Sequence, residues 1–319
     1  MDYGINFNGD LPFDHIIEGA RVSEQVGFKY IWVGEANEYI HPFPVIAAVC
    51  ENTSEIQIGS GIISPQLNRC QHILKAFETL QEIYGQRFVI GLAHGDFIAL
   101  QSTGVEVKQP IGKIDECLIE IAGSVPTYIA KQIKQITKTE KEEACAYGVI
   151  PVFIGASGPK TIEFASQKAD GILLNYVNPE FIRWAKKYFK RKTYAAVYGP
   201  SLLLPDTQNE KHLLIAAGIV ASGMPKELQI EFGLEGQIEQ IKNHLMHKNY
   251  GELRQYQEFL LDNFTLSGTL QQISEKIEGI KEIGIDQVVF GTPICRNLEA
   301  VNKLGRVISK GQGAAKAII

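Results

Sequence analysis

The stretch from residue 151 to 179, PVFIGASGPKTIEFASQKADGILLNYVNP, limits the possible folds of this chain more than any other. A short apolar run, Val152-Phe153-Ile154, ends in the turn Gly155-Ala156-Ser157-Gly158-Pro159. An amphipathic segment follows, then Ala169-Asp170-Gly171 and a second apolar run, Ile172-Leu173-Leu174. The order reads as strand, glycine-rich turn, helix, tight turn, strand. That is a βαβ unit, whose parallel strands need a helical crossover between them. A helix that opens on residues without bulky side chains offers free backbone amides to an anion. Gly155, Ala156, Ser157 and Gly158 are therefore a candidate phosphate site. The same residues also make a plain tight turn, and the stretch alone does not decide between the two.

The unit recurs. Short apolar runs at 3–7, 30–33, 56–63, 88–92, 152–154, 172–174, 194–198 and 287–290 alternate with segments of helical periodicity, such as Leu270, Ile273, Ile277 and Ile280 before Gly284. Runs that are apolar throughout, rather than alternating, fit parallel strands covered on their outer face. Eight such repeats predict an α/β fold, the (β/α)8 TIM barrel, as a single domain over 1–319. The irregular stretch 97–149 and the helical stretch 211–263 read as insertions. A doubly wound open sheet is the alternative, but no G-x-G-x-x-G follows the first strand.

At 319 residues the chain suits one barrel of ~250 residues with insertions. The net charge of −5 and the lack of a basic stripe argue against nucleic acid as a partner. The basic cluster at 186–192 ends a helical segment, where it complements the helix dipole. Cys50, Cys70, Cys117, Cys145 and Cys295 show no C-x-x-C spacing, which predicts reduced thiols rather than disulfides or zinc, and a cytoplasmic location. The first residues lack a signal-peptide pattern, and no window of ~18 apolar residues predicts a membrane span. Histidines are scattered, so no metal site is expected; His244 and His247 lack a metalloprotease context and read as surface residues.

In a barrel the chemistry gathers at the carboxyl ends of the strands. Those positions here are Asn6, Glu35 and Asn37, then Gly61, Ile62 and Ser64, then His94 and Asp96. Residues 155–158, Asn175, Tyr198 and Gly291-Thr292 complete the rim. The rim has carboxylates, amides and a glycine turn, but no G-x-S-x-G nucleophile elbow and no ligand triad. A bound cofactor doing the hard step fits that inventory.

Several stretches carry a family resemblance: Tyr3-Gly4-Ile5, Gly27-Phe28-Lys29-Tyr30-Ile31-Trp32, Gly59-Ser60-Gly61-Ile62-Ile63-Ser64-Pro65, TLQEIYGQRFVIGLAHGD at 79–96, the opening stretch, and 266–293. In order and spacing the chain resembles the bacterial-luciferase-like barrel superfamily. Within it, the chain is similar to the coenzyme F-420-dependent methylenetetrahydromethanopterin reductases of methanogenic archaea. The resemblance implies coenzyme F-420, an 8-hydroxy-5-deazaflavin, with its phosphate on Gly155, Ala156, Ser157 and Gly158. It implies a non-proline cis peptide between Gly61 and Ile62 behind the deazaflavin ring, with Ser64 following it. Asn175 and the 91–96 loop would line the ring and the substrate. It further implies hydride transfer to a methylene-tetrahydropterin of the tetrahydromethanopterin type, a place in methanogenesis and one-carbon metabolism, an archaeal cytoplasmic setting, and a homodimer or homotetramer.

Where the family has a glutamate on strand one, this chain has Asn6, which hydrogen-bonds but donates no acidic proton. The family's Asp-His pair after strand two is Glu35-Ala36, its T-N-P is Ile63-Ser64-Pro65, and a small residue is His94; Asp96 is retained. Glu35 or Asp96 would then supply the acid, leaving Asn6, Glu35 and Asp96 as the candidate catalytic set. The differences lie at the reacting end and spare the phosphate end, as in a divergent paralogue. Two alternatives remain: a flavin mononucleotide (FMN) monooxygenase of the same superfamily, and a non-catalytic deazaflavin-binding protein.

Overall fold

Eight parallel strands close on themselves in the computed structural model of the chain, which describes residues 1–36, 38–95, 100, 104, 109–123 and 150–316. The first seven are β1 (Asp2–Asn8), β2 (Tyr30–Gly34), β3 (Gln57–Ser60), β4 (Phe88–Leu92), β5 (Val152–Gly155), β6 (Gly171–Leu174) and β7 (Tyr194–Leu203). They pair in chain order, and β9 (Gln287–Gly291) closes the ring between β7 and β1, with Gln287 opposite Asp2 on one side and Ala196 on the other. The expected TIM barrel is the fold. A further strand, β8 (Leu266–Gly268), lies outside the ring and pairs with the far end of β7 at 201–203.

The helices return the chain to the start of each strand. They are α1 (Phe13–Gln25), α2 (Pro42–Glu51), α3 (Cys70–Tyr84), α4 (Pro110–Gly123), α5 (Pro159–Lys168) and α6 (Pro179–Lys186). After β7 come α7 (Glu210–Ser222), α8 (Lys226–Phe232), α9 (Glu235–Met246), a 3-10 turn (Tyr250–Tyr256) and α10 (Gln257–Phe264); α11 (Leu270–Glu282) and α12 (Leu298–Lys316) complete the chain. α11 starts on a capping box in which the Thr269 hydroxyl accepts from the Gln272 amide, and its stripe of Ile273, Ile277 and Ile280 is buried. Outward strand residues such as Ile5, Phe7, Ile31, Val33, Ile58 and Phe290 form one continuous core with these stripes. Among the described residues, no single helix is long and apolar enough to cross a membrane.

Inward residues form a separate, smaller cluster: Trp32, Val89, Phe153, Ala196 and Val289, flanked by Tyr30, Leu173, Tyr194 and Tyr198. Large rings face glycines. A Cβ on Gly59 would fall 2.4 Å from Trp32, and one on Gly171 2.7 Å from Phe153. The barrel is thus plugged by side chains, so ligand chemistry is confined to its mouth.

The structure departs from the sequence reading in four places. β3 stops at Ser60 rather than 63, because the next residues leave the ladder. β7 extends to Leu203, and β8 went unseen because three residues, Leu266-Ser267-Gly268, carry no periodicity. Finally, Cys70 and Cys117 form a disulfide with Cα atoms 5.1 Å apart, correcting the expectation of reduced thiols. The pair joins α3 to α4 across 47 residues, a contact that no short spacing motif reveals. Cys50 and Cys295 are free and buried. Within the stretch 97–149, α4 is helical over Pro110–Gly123; most of the rest, with Asn37, Asp96 and Cys145, falls outside the described residues.

Candidate functional site

The mouth is organised around the segment that leaves β3. Ser60 is buried, and its hydroxyl both donates to the Gly91 carbonyl (3.0 Å) and accepts from the Gly91 amide (2.8 Å), fixing β3 to β4. The Gly61-Ile62 peptide is cis, as the resemblance implied. The Gly61 amide donates to Val33 (2.7 Å) and the Ile63 amide to Gly91 (2.9 Å), so the segment bridges β2 and β4 while the backbone between swings outward. Ile62 projects across the mouth. Its Cγ2 lies 3.5 Å from where a Cβ of Gly155 would stand, and the Ala93 Cβ lies 2.9 Å from that point. Only glycine fits there without displacing a neighbour.

Gly155 ends β5 and leads through buried Ala156 and half-buried Ser157 to Gly158, the N-cap of α5, with Pro159 in its first turn. Proline has no amide to offer, but the remaining first-turn amides of a helix that follows the carboxyl end of its strand are the kind of group that holds phosphates. The turn is supported from β6: the Ala156 amide donates to Leu173 (3.0 Å), and the hydroxyl of buried Tyr176 donates to the Ser157 carbonyl (2.7 Å). Burial and, secondarily, the charge of Glu227 hold the Tyr176 hydroxyl well above its usual pKa, so it stays a donor. Asn175 follows β6 and is exposed beside the turn.

Glu35 follows β2. Its Oε2 accepts from the Ser64 amide (3.0 Å), its Oε1 accepts from the Asn68 side-chain amide (2.8 Å), and its own amide donates to the Ile62 carbonyl (3.3 Å). The Ser64 hydroxyl donates to the His94 carbonyl (2.7 Å). Glu35, Ile62, Ser64 and the β4 end are therefore one hydrogen-bonded unit. Asn6 is deeper and buried on β1, opposite Trp32 in the strand register, and its Nδ2 donates to the Trp32 carbonyl (3.0 Å). At a strand rise of ~3.3 Å per residue, it sits roughly 10 Å below the level of Glu35.

The ends of β1, β2, β7 and β9 contribute a second polar group. Arg296 pairs with Asp10. The Tyr39 hydroxyl is pushed up to about 12 by burial, assisted by the negative charge of Asp10. Burial likewise raises the hydroxyl of Tyr198 and pushes the Cys295 thiol up to about 12, keeping both neutral. Among the described residues, no group of three or more His, Cys, Asp or Glu side chains is placed to hold a metal ion.

Of the sequence-predicted residues, the structure brings together Gly61, Ile62, Ser64 and Glu35 in one unit, with Ile62 beside Gly155. Asn6 lies apart, and Asp96 lies outside the described residues. Sequence reasoning missed Asn68 and Tyr176, which act as supports, and the Asp10–Arg296 pair. An asparagine in a turn is too common to stand out. Asp10 and Arg296 are 286 positions apart, and only closure of the barrel joins them.

The sequence model of the luciferase-like monooxygenase family matches residues 3–287. The 5,10-methylenetetrahydromethanopterin reductase of Methanolobus tindarius is 24% identical, over 95% of this chain and 98% of the relative. The enzyme of the same name from Archaeoglobus fulgidus is 25% identical, over 92% and 94%. The solved structure of the coenzyme F420 dependent tetrahydromethanopterin reductase from Methanopyrus kandleri superposes with a TM-score of 0.80 at 23% identity. It covers 96% of this chain and 97% of the neighbour, and supports the same barrel.

Proposed function

The chain belongs to the luciferase-like monooxygenase family, and from that premise we propose that it is a coenzyme F420-dependent oxidoreductase acting on a methylene-tetrahydropterin of the tetrahydromethanopterin type. The observation that carries the proposal is the closeness of two parts of the mouth. The Ile62 Cγ2 lies 3.5 Å from where a Cβ of Gly155 would stand, so the segment leaving β3 and the glycine turn after β5 border one another. A planar ring bearing a phosphorylated side chain fits that shape. Reduced F420, when bound, supplies the hydride. The relatives named for the methylenetetrahydromethanopterin reaction align over nearly the whole chain, which supports the substrate class.

The chain's own residues divide the work. Amides at the start of α5, with the turn at 155–158 backed by Tyr176, bind the phosphate. Ile62 and the backbone of Gly61 shape the surface against which the ring lies, and Asn175 and the 91–95 segment border the opening. Plugging of the barrel by Trp32 and Phe153 excludes water from below. Asn6, bonded to the Trp32 carbonyl, donates no acidic proton, so the proton that helps open the methylene bridge comes from elsewhere on the rim.

The test mixes the protein with reduced F420 and methylene-tetrahydromethanopterin under anoxic conditions and follows oxidation of the coenzyme. Turnover is expected. Binding of F420 without turnover replaces the reductase with the non-catalytic deazaflavin-binding reading, and retention of FMN in its place replaces it with the monooxygenase reading. The Asn6→Glu variant sharpens the result. Restoring a carboxyl group at that point is expected to raise the rate by about tenfold or more, within the range of one general-acid contribution.

A further inference from the structure

We infer that Glu35 is a positioning residue that fixes the surface at 61–68 against which the coenzyme ring lies, and that it is not the proton donor. The inference rests on the coenzyme reading above but makes a separate claim about this side chain. Both carboxylate oxygens are already engaged, one by the backbone amide of Ser64 at 3.0 Å and the other by the Asn68 side chain at 2.8 Å. The Glu35 amide reaches the Ile62 carbonyl at 3.3 Å, so one residue grips the segment on both sides of Ile63.

On the β2 flank the Gly61 amide is held by the Val33 carbonyl (2.7 Å), and among the described residues the bonds to that flank beyond Ile62 are those of Glu35. Ser64 is buried, and without Glu35 its amide would lose its acceptor. Residues 64–68 form a small turn of their own: the Asn68 amide donates to the Ser64 carbonyl (3.0 Å) and the Gln66 amide to the Ser64 hydroxyl (3.2 Å). That turn is suspended between two anchors, Glu35 on the β2 side and the His94 carbonyl on the β4 side. Two donors converge on Glu35, which suits a carboxylate and no other side chain of its length. Glutamine presents one accepting oxygen, and its amide would face a donor. A proton donor to substrate needs an oxygen directed at the substrate, whereas here both oxygens are directed at the 64–68 turn.

Two measurements on wild type, Glu35→Gln, Glu35→Ala and Asn68→Ala test the inference. The first is hydrogen–deuterium exchange of backbone amides in 62–69 without coenzyme. Exchange at Ser64 is expected to rise roughly tenfold to a hundredfold in both Glu35 variants, the range for an amide bonded to a carboxylate. Asn68→Ala, which leaves Glu35 in place, is expected to give a smaller rise at the same amides. The second is F420 titration with steady-state kinetics. The Glu35 variants should bind F420 more weakly by a similar factor, lose less in kcat at saturating coenzyme, and keep the wild-type shape of the pH profile. Unchanged exchange at Ser64 overturns the inference. So does a Glu35→Gln variant that binds F420 normally but loses kcat together with one limb of the pH profile. Failure of the wild type to bind F420 sinks the coenzyme reading instead, and the exchange result still decides whether Glu35 holds the segment.

Discussion

At the carboxyl ends of β3 to β6 the mouth of the barrel is made of backbone: the outward swing at 61–63, the glycine turn at 155–158, and amides of α5. At the ends of β9, β1 and β2 it is made of side chains, Asp10, Tyr39 and Arg296, with Asn6 buried below them on β1. The difference separates holding from reacting. Backbone amides recognise a phosphate with almost no dependence on side-chain identity, so that half accommodates sequence change around fixed glycines. The side-chain half changes its chemistry with each substitution. It is also where this chain has Asn6 in place of the carboxylate that the family resemblance implies.

The largest expected effect breaks the backbone half from outside the mouth. The segment that Glu35 holds runs directly into Cys70, and the disulfide to Cys117 ties that junction to α4. Closing 47 residues corresponds to about 4 kcal/mol in the chain-entropy picture. Equilibrium unfolding with and without a thiol reductant measures it directly. A difference under about 1 kcal/mol would mean that packing of α3 on α4, not the covalent link, supports this half. A more local break is Gly155→Ala, whose Cβ would stand 2.9 Å from the Ala93 Cβ and 3.5 Å from Ile62. Overpacking of this kind costs about 1–3 kcal/mol. The cost is expected at the mouth itself, as an F420 dissociation constant raised at least tenfold in a titration. Unchanged affinity would place the coenzyme elsewhere.

The same division explains what the sequence revealed. Glycines and short apolar runs report backbone geometry directly. Residues 151–179 therefore read as a βαβ unit, the eight-strand closure follows, and Gly61, Ile62 and Gly155 fall at strand ends. Contacts between side chains distant in the chain leave no such mark. The disulfide from Cys70 to Cys117 contradicted the inference from cysteine spacing, and Asp10 with Arg296 became visible only once β9 packed beside β1. Glu35 stands out in the sequence by its charge and its place at a strand end, yet its two bonds to the 64–68 turn depend on a backbone path that no pattern encodes.

A smaller effect sharpens the comparison from within the backbone half. The Tyr176 hydroxyl supports the phosphate turn through one bond to the Ser157 carbonyl at 2.7 Å. Tyr176→Phe keeps the packing of the ring against Phe181 and Trp184 and removes only that bond. The loss is about 1 kcal/mol, hence an F420 dissociation constant weaker by about fivefold, with kcat unchanged at saturating coenzyme. A fall in kcat without a change in affinity would assign Tyr176 to the reacting side.

The smallest effect belongs to the side-chain half and is read with pH. Asp206, in the loop after β7, accepts from the Asn209 side chain (2.9 Å) and from Asn297 (3.2 Å), the residue that follows Arg296. Partial burial alone would raise its pKa, but hydrogen bonds from Asn209 and Asn297 outweigh that and leave it lowered. A carboxylate whose folded pKa lies below its unfolded value stabilises the fold fully above the unfolded value. That contribution is lost as pH falls through the folded one. Wild type should therefore exceed Asp206→Asn in melting temperature at pH 7 and pH 5, and the gap should close as the pH drops below about 4. F420 affinity, set by the other half, should be the same for the two proteins at pH 5 and pH 7. A melting gap that stays constant into acid would show that Asp206 holds the Arg296 loop by shape rather than by charge, and a matching drop in F420 affinity would show that the two halves of the mouth are coupled.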